Sequence, residues 1–344
     1  MGKRSDFIYA VPISEPFIPL RQPSLTMPQN RPHIVYAVRH EGLATVFASQ
    51  VLDRMRVVAE HGLPVDVLVL SPLGQFLRKR LSQRWRDSIA GAITNGNFRI
   101  RRLPTMPSRL KSASIDRLIL GHAIRRLVSS IAHMQIVLVG RNAVTTNLLL
   151  DSRKIRNVSL PVVYDCRGIE HVEAQYVACS QTEDVIAESA ALERLIARAV
   201  RDSDRVLCVS HAMKTYLEQH FQLDPAKVLV IPCCVDVSQF KDSESERTSR
   251  RRELGLEQEF VVVYCGGLQK WQCVQESLAL FQAILGLEAK AYFLAITPSA
   301  VGMEGMLASV GIPRERVKVL SLRHSEVPKY LPAGDIGLLL REKS

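Results

Sequence analysis

No run of apolar residues in this 344-residue sequence reaches the roughly 18 that a membrane-spanning helix needs. A secretory leader is not apparent either: Lys3 and Arg4 are followed by Pro12, Pro16, Pro19 and Pro23, which break up any apolar core. Cysteine pairs at metal-binding spacing are lacking. The seven cysteines are an odd number with no CxxC among them, which argues against a zinc ribbon and against a disulfide framework. Cys166, Cys208 and Cys265 fall in or at the ends of apolar runs, where a thiol acts as a small hydrophobe. The adjacent Cys233 and Cys234 project to opposite sides of an extended segment, a poor geometry for a metal. Reduced structural thiols and a cytoplasmic location are therefore expected.

The overall balance is that of a folded protein. Apolar residues make up 47% and charged residues 23%, which excludes a disordered or collagen-like chain. The length exceeds one common core and predicts two α/β domains. Charge is spread unevenly. Residues 1–232 carry 31 Lys and Arg against 20 Asp and Glu, whereas residues 233–344 carry 14 against 14, so the net +11 arises wholly in the first part. The excess is steepest over 54–126, with 15 basic and 4 acidic side chains, among them Arg78-Lys79-Arg80, Arg84, Arg86, Arg99, Arg101 and Arg102. A basic face of this kind predicts an anionic partner such as lipid headgroups or a phosphorylated substrate. A plain solvated face is the competing reading. Few aromatics are interleaved for base stacking, so nucleic acid is not the expected partner.

Residues 1–32 hold six prolines and no sustained period, and read as an irregular arm. Beyond them, short apolar and β-branched runs alternate with helical patterns. Strands are predicted at 34–38, 65–70, 98–103, 136–139, 162–164, 205–209 and 228–231. Helices are predicted at 44–62, 75–92, 115–133, 142–151, 181–201 and 212–221. Strands joined by crossovers of this length form a parallel sheet, and near-continuous apolarity places helices on both of its faces. The first doubly wound domain thus spans 33–235. A polar linker covers 236–258, and a second alternation starts at 259 and runs to Ser344. Its strands fall at 260–265, 291–296, 317–320 and 336–340.

Ligands of such sheets bind beyond the carboxyl ends of the strands, so the chemistry is sought there. Glu41 and Gly42 follow the first strand, where glycine permits a tight turn; a structural turn explains them equally well. Asp165, Arg167, Glu170 and His171 place four ionisable groups within seven residues of a strand end. Arg167 offers a planar fork of donors to a phosphate or acidic group, although a local Asp–Arg pair is the plainer reading. Ser210 has N-cap character, and His211 beside it is a candidate base or a surface residue. Gly266, Gly267 and Lys270 form a turn between a buried strand and a helix, suited to phosphate oxygens. It is neither GxGxxG nor a P-loop, which speaks against dinucleotide reduction and ATP hydrolysis. Trp271 beside it is placed to pack against the other domain. Ser321, with His324-Ser325-Glu326, follows a later strand where a nucleotide base could dock.

Taken in order, these segments resemble the GT-B glycosyltransferases, in particular the retaining glycosyltransferase family 4. Asp165–Glu170 resembles the strand-end motif of the acceptor domain, and Asp204-Arg205-Val206-Leu207-Cys208-Val209-Ser210 resembles the family's "aD.vi.vS" strand. Ile231-Pro232-Cys233-Cys234-Val235-Asp236 with Phe240 is similar to its "iPNGvD…F" linker. Residues 262–267 with Lys270 resemble the donor-phosphate turn, and 327–340 resemble "…yl..aDvgll". The likeness is good over 160–344 and architectural over 34–150. It implies two Rossmann-like domains facing a cleft, in which a hexosyl group passes from a nucleotide diphosphate sugar to a glycan or lipid-linked acceptor. Cell-surface polysaccharide biosynthesis is the expected setting, with no metal and no cofactor besides the co-substrate, and the basic 54–126 region fits an enzyme resting on the inner face of an anionic membrane. On this resemblance Asp165, Arg167, Glu170 and His211 are catalytic. Gly266, Gly267, Lys270 and Ser321 bind the donor, and Glu41 and Gly42 belong to the acceptor-side loop.

Three departures bear on that implication. Cys233-Cys234 stand where the family often has Asn-Gly, and Arg167 stands where it frequently has His. The family also places two glutamates eight positions apart soon after the last of these strands, then a closing helix, and the sequence ends at Ser344 before either. A truncated, catalytically inactive binding module is therefore one alternative, and a sugar-nucleotide 2-epimerase on the same architecture is another.

Overall fold

The computed structural model describes residues 31–39, 47–77, 97–106, 113–131, 135–155, 158–178, 182–235, 237–240 and 244–341. The predicted arm at 1–32, apart from 31 and 32, lies outside the described residues, as do Glu41, Gly42 and most of the helix predicted at 75–92 with Arg78, Lys79, Arg80, Arg84 and Arg86.

All seven strands predicted in the first part form one sheet. They are β1 (His33–Arg39), β2 (Val65–Pro72), β3 (Phe98–Thr105), β4 (Ile136–Arg141), β7 (Val162–Asp165), β8 (Arg205–Cys208) and β9 (Val228–Val230). A small antiparallel hairpin, β5 (Lys154–Ile155) with β6 (Val158–Ser159), interrupts the series and had no signal in the sequence. The order in the large sheet is β3-β2-β1-β4-β7-β8-β9, and every neighbour is parallel. Helices bury both faces. Leu120, Ile124 and Leu127 of Ala113–Ser130 cover Val35, Ala37 and Leu138 on one side, while Phe47, Met55 and Ala59 pack under Tyr36, Val38 and Val67 on the other. Strand order reverses between β1 and β4, where a doubly wound sheet opens a crevice for ligand.

The second sheet has four parallel strands: β10 (Phe260–Cys265), β11 (Ala291–Ile296), β12 (Val317–Leu320) and β13 (Ile336–Leu338). They are arranged β12-β11-β10-β13. Its reversal lies between β10 and β13. Helices Val274–Leu287 and Ala300–Val310 cover one face through Leu278, Phe281, Met303 and Leu307. The segment read as a polar linker supplies cover for the other: Glu244–Leu254 is helical, and Leu254 and Leu256 are buried against Val261 and Val263. Arg251, itself buried, donates to the Ala333 carbonyl at 2.9 Å and pairs with Asp335 at 3.0 Å. Asp335 also pairs with Arg247 and accepts from the Val261 amide at 2.7 Å. Burial alone would raise its pKa, but the Val261 amide and the two guanidiniums hold it below the ordinary value. The aspartate of the "aDvgll" segment thus fastens the helix to the sheet.

Two local expectations are corrected. Cys166 and Cys208 are buried as expected, but Cys265 emerges at the end of β10 and is exposed. The helix expected from residue 181 starts at Glu183, because the Thr182 hydroxyl accepts from the Val185 amide. No described helix is long and apolar enough to cross a membrane.

Candidate functional site

The residues at the ends of β4 and β7, with Tyr36 from within β1 and Arg54 from the helix Asp53–Glu60, build one side of the candidate site. Asp165 ends β7 and is buried at 1% exposure. Its Oδ2 accepts a 2.5 Å hydrogen bond from the Tyr36 hydroxyl and lies 3.2 Å from Arg54 Nη2. Its Oδ1 lies 3.0 Å from Arg167 Nε. Two guanidiniums and a phenol therefore share one carboxylate. Burial, reinforced by the Asp165 charge, pushes the Tyr36 pKa well above its ordinary value, so the phenol stays a donor. Arg167 Nη2 and Arg54 Nη1 are buried and have no hydrogen-bond partner among the described residues. Arg167 also reaches Cys233 Sγ at 3.6 Å, tying the strand end to the segment that leaves the first domain. Burial pushes the neighbouring Cys166 thiol up to about 12, which keeps it an uncharged structural group.

Glu170 does something the sequence did not disclose. It opens the helix Glu170–Val177, and its carboxylate accepts from the Ala143 amide at 3.1 Å. The N-terminus of the helix Asn142–Ser152, at the β4 switch point, is thereby capped from within the protein. Asn142 adopts left-handed backbone (φ 65°) and accepts from Thr145 N at 2.9 Å. That conformation suits Asn and is rare for most other side chains. Beside this turn Arg141 is buried and donates to Gln50 Oε1 at 2.8 Å.

His211 lies at the end of β8, next to β7, as the exposed first residue of its helix. Ser210 accepts from Met213 N at 3.1 Å, so the N-cap reading of that serine holds. Asp165 and Arg167 are thus joined directly. Glu170 faces the adjoining helix, and His211 stands on the neighbouring strand end.

The opposite side comes from the second sheet. Gly266 and Gly267 follow β10, but their backbones are not equivalent. Gly266 N–H donates to the Ile296 carbonyl at 3.0 Å and extends the sheet, so that amide is already used and cannot cradle a phosphate as the sequence implied. Gly267 accepts from the Tyr264 hydroxyl at 2.5 Å through its carbonyl. A Cβ on Gly267 would come within 2.2 Å of Gln269 Oε1, the end of a flexible side chain that can turn aside. A 3₁₀ turn, Lys270–Gln272, then leads into Val274–Leu287. Ser321 lies past the edge strand β12, exposed and two strands from β10.

Two contacts set the sides face to face. Lys270 Nζ lies 4.4 Å from the Tyr176 ring centroid, and Trp271 packs at 6.5 Å on that same ring. His324 Nε2 lies 3.1 Å from Asp53 Oδ2. The expected packing of Trp271 against the other domain is therefore present. Tyr176, Asp53, Arg54 and Tyr36 escaped the sequence reading. Tyr36 looks like core in an apolar run, and the other three lie on helices, Asp53 and Arg54 opening Asp53–Glu60 and Tyr176 near the end of Glu170–Val177.

The family model for Glycosyltransferase Family 4 matches residues 47–239, more than half of the chain. The D-inositol 3-phosphate glycosyltransferase of Actinosynnema mirum is 27% identical over 186 residues, covering 52% of this chain. The match spans only 42% of the length of that relative. Among solved structures, Anabaena HepE in complex with UDP and glucose has a TM-score of 0.59 at 14% identity, over 90% of this chain and 74% of that one. A glycosyltransferase from Rickettsia africae has a TM-score of 0.60 at 10% identity, over 90% and 73%. At such identity the shared feature is the fold: two Rossmann-like α/β domains in the GT-B arrangement.

Proposed function

We propose a reaction on one premise: the chain belongs to glycosyltransferase family 4. It transfers a hexosyl group from a nucleotide diphosphate sugar to a glycan or lipid-linked acceptor held between the two sheets. The observation that carries this reading is the contact between the two sides: Lys270, in the turn after β10, lies on Tyr176, six residues past the Asp165–Glu170 rim. The UDP and glucose named for HepE support a nucleotide sugar as donor. On this reading Lys270, the turn amides after Gly266 and the N-terminus of Val274–Leu287 stabilise the departing diphosphate. Arg167 and Arg54, each with a buried N–H to spare, orient an oxygen-rich acceptor while Asp165 fixes both guanidiniums. His211 and Ser321 flank the acceptor and donor ends, and no metal enters the reaction. The test is release of nucleoside diphosphate by the full chain over a panel of UDP-, GDP- and ADP-sugars, with mixed glycans as acceptors. One donor is expected to turn over, with sugar appearing on the acceptor. Acceptor binding without diphosphate release from any donor would replace the enzyme with a binding module.

We further place this activity at the inner face of a membrane, in cell-surface polysaccharide synthesis. The support is the basic face of the first lobe, where Arg99, Arg101, Arg117, Arg125 and Arg126 accompany the exposed Ile115 and Leu118. The chain is expected to pellet with vesicles containing anionic lipid and to stay in solution with neutral ones. Equal pelleting with both would remove the electrostatic argument.

A further inference from the structure

A second cluster in the first lobe takes no part in that site. His171, Glu193 and His220 come from three helices, Glu170–Val177, Glu183–Asp202 and His211–Phe221. Each offers a donor atom within 4.8 Å of the other two. His220 Nε2 and Glu193 Oε1 are 2.7 Å apart. The His171 and His220 rings lie near-parallel with centroids 5.8 Å apart. His171 is buried at 6% exposure, and its Nδ1 has no hydrogen-bond partner among the described residues. Its Nε2 is 3.1 Å from the Tyr216 hydroxyl. Burial lowers the imidazole's pKa, which favours the neutral form that ligates metals. The Glu193 and His220 side chains are each 42% exposed, so an ion has a way in from solvent.

We infer that His171, Glu193 and His220 bind one divalent transition-metal ion of the Zn²⁺ type, clipping three helices together. Two imidazoles and one carboxylate are a zinc donor set, and water fills the fourth position. Ligand atoms around tetrahedral zinc stand roughly 3.3 Å apart, given bonds of about 2.0–2.1 Å. Small side-chain rotations therefore suffice: the His220–Glu193 pair opens by about half an ångström and His171 closes in. Magnesium and calcium prefer all-oxygen sets and do not suit the cluster. A surface ion pair between His220 and Glu193 is the rival account. It contributes little to stability and leaves the buried, unpartnered nitrogen of His171 unexplained.

The clip touches no reacting atom, and it does not depend on the transfer reading. Its effect is mechanical. The helix it holds begins with Glu170, which caps Asn142–Ser152, and carries Tyr176, which meets Lys270.

The test is titration of the chelator-stripped full chain with Zn²⁺ against a chromophoric competitor, alongside thermal unfolding. One Zn²⁺ per chain is expected to bind at micromolar concentration or below and to raise the Tm. His220→Ala and Glu193→Gln should each weaken binding at least about 10-fold, the scale of loss seen when even an outer-shell partner goes. Both positions are half exposed, and their unfolding in excess chelator should match that of the unaltered chain. Cys233→Ser with Cys234→Ser should leave Zn²⁺ binding intact. The inference falls if Zn²⁺ binds only above about 100 µM. It also falls if His220→Ala binds unchanged, or if the cysteine pair proves to be what holds the ion.

Discussion

Asp165→Ala is expected to lower the stability of the first lobe by about 3–5 kcal/mol, the scale set by removing one partner from a buried ion pair. The carboxylate serves three groups at once: the Tyr36 hydroxyl at 2.5 Å, Arg54 at 3.2 Å and Arg167 at 3.0 Å. The Arg167 and Arg54 side chains are only 9% and 21% exposed, so water cannot readily replace the lost charge. Two like charges would then face each other in a poorly solvated pocket. Urea unfolding followed by circular dichroism should show a lower midpoint with an unchanged slope. Asp165→Asn keeps an acceptor for the Tyr36 hydroxyl and fills the same space, so its loss should be smaller. A change below about 1 kcal/mol in the alanine variant would mean that the guanidiniums are served by another anion or by solvent, as in exposed pairs. Asp165 would then be no organising centre.

The architecture was legible because most strands are apolar runs followed by a helical pattern, which parallel pairing under two helical layers satisfies; the edge strand β3, with Arg99, Arg101 and Arg102, is the exception. All eleven strands of the two large sheets fall where the sequence predicts them. The helix Glu244–Leu254 was illegible for the opposite reason. Among its eleven residues, ESERTSRRREL, only the last is apolar. It is held by Arg247 and Arg251 reaching Asp335, more than 80 positions later. Local pattern carries no trace of such partners.

The site divides in the same way. Asp165 and Arg167 announced themselves as ionisable groups at a strand end, but Asp165 is also held by Tyr36 and Arg54, which lie 129 and 111 positions away in the chain. Glu170 was visible as a charged residue, yet its use as a cap for Ala143 is a matter of how two helices pack. The glycine pair suggested two free amides, and the sheet had already claimed that of Gly266. Residue type at a strand end therefore locates a site; only the packing around it tells which groups remain free to act.

That distinction bears most heavily on Lys270. With the Gly266 amide committed to Ile296, the positive charge near the turn rests on this exposed side chain. In the structure it lies on the face of Tyr176 at 4.4 Å, a cation–π contact of about 0.5–1 kcal/mol at an exposed site. On the proposed transfer an arriving diphosphate would offer a far stronger partner, so the ammonium is expected to leave the ring and follow the charge that grows on the leaving group. Lys270→Ala should then lower kcat by about 10²–10³-fold, the range for loss of one preorganised donor to a developing anion. Its stability should fall by no more than about 1 kcal/mol, the worth of the lost contact with the Tyr176 ring. Lys270→Arg keeps the charge and should recover part of the rate. Tyr176→Leu removes the resting place but not the cation, so it should leave kcat within a few-fold while loosening the contact between the lobes. A Lys270→Ala chain whose kcat and donor KM both stay within threefold of the parent would mean that the turn does not meet the diphosphate. The nucleotide would then have to dock elsewhere along the second sheet.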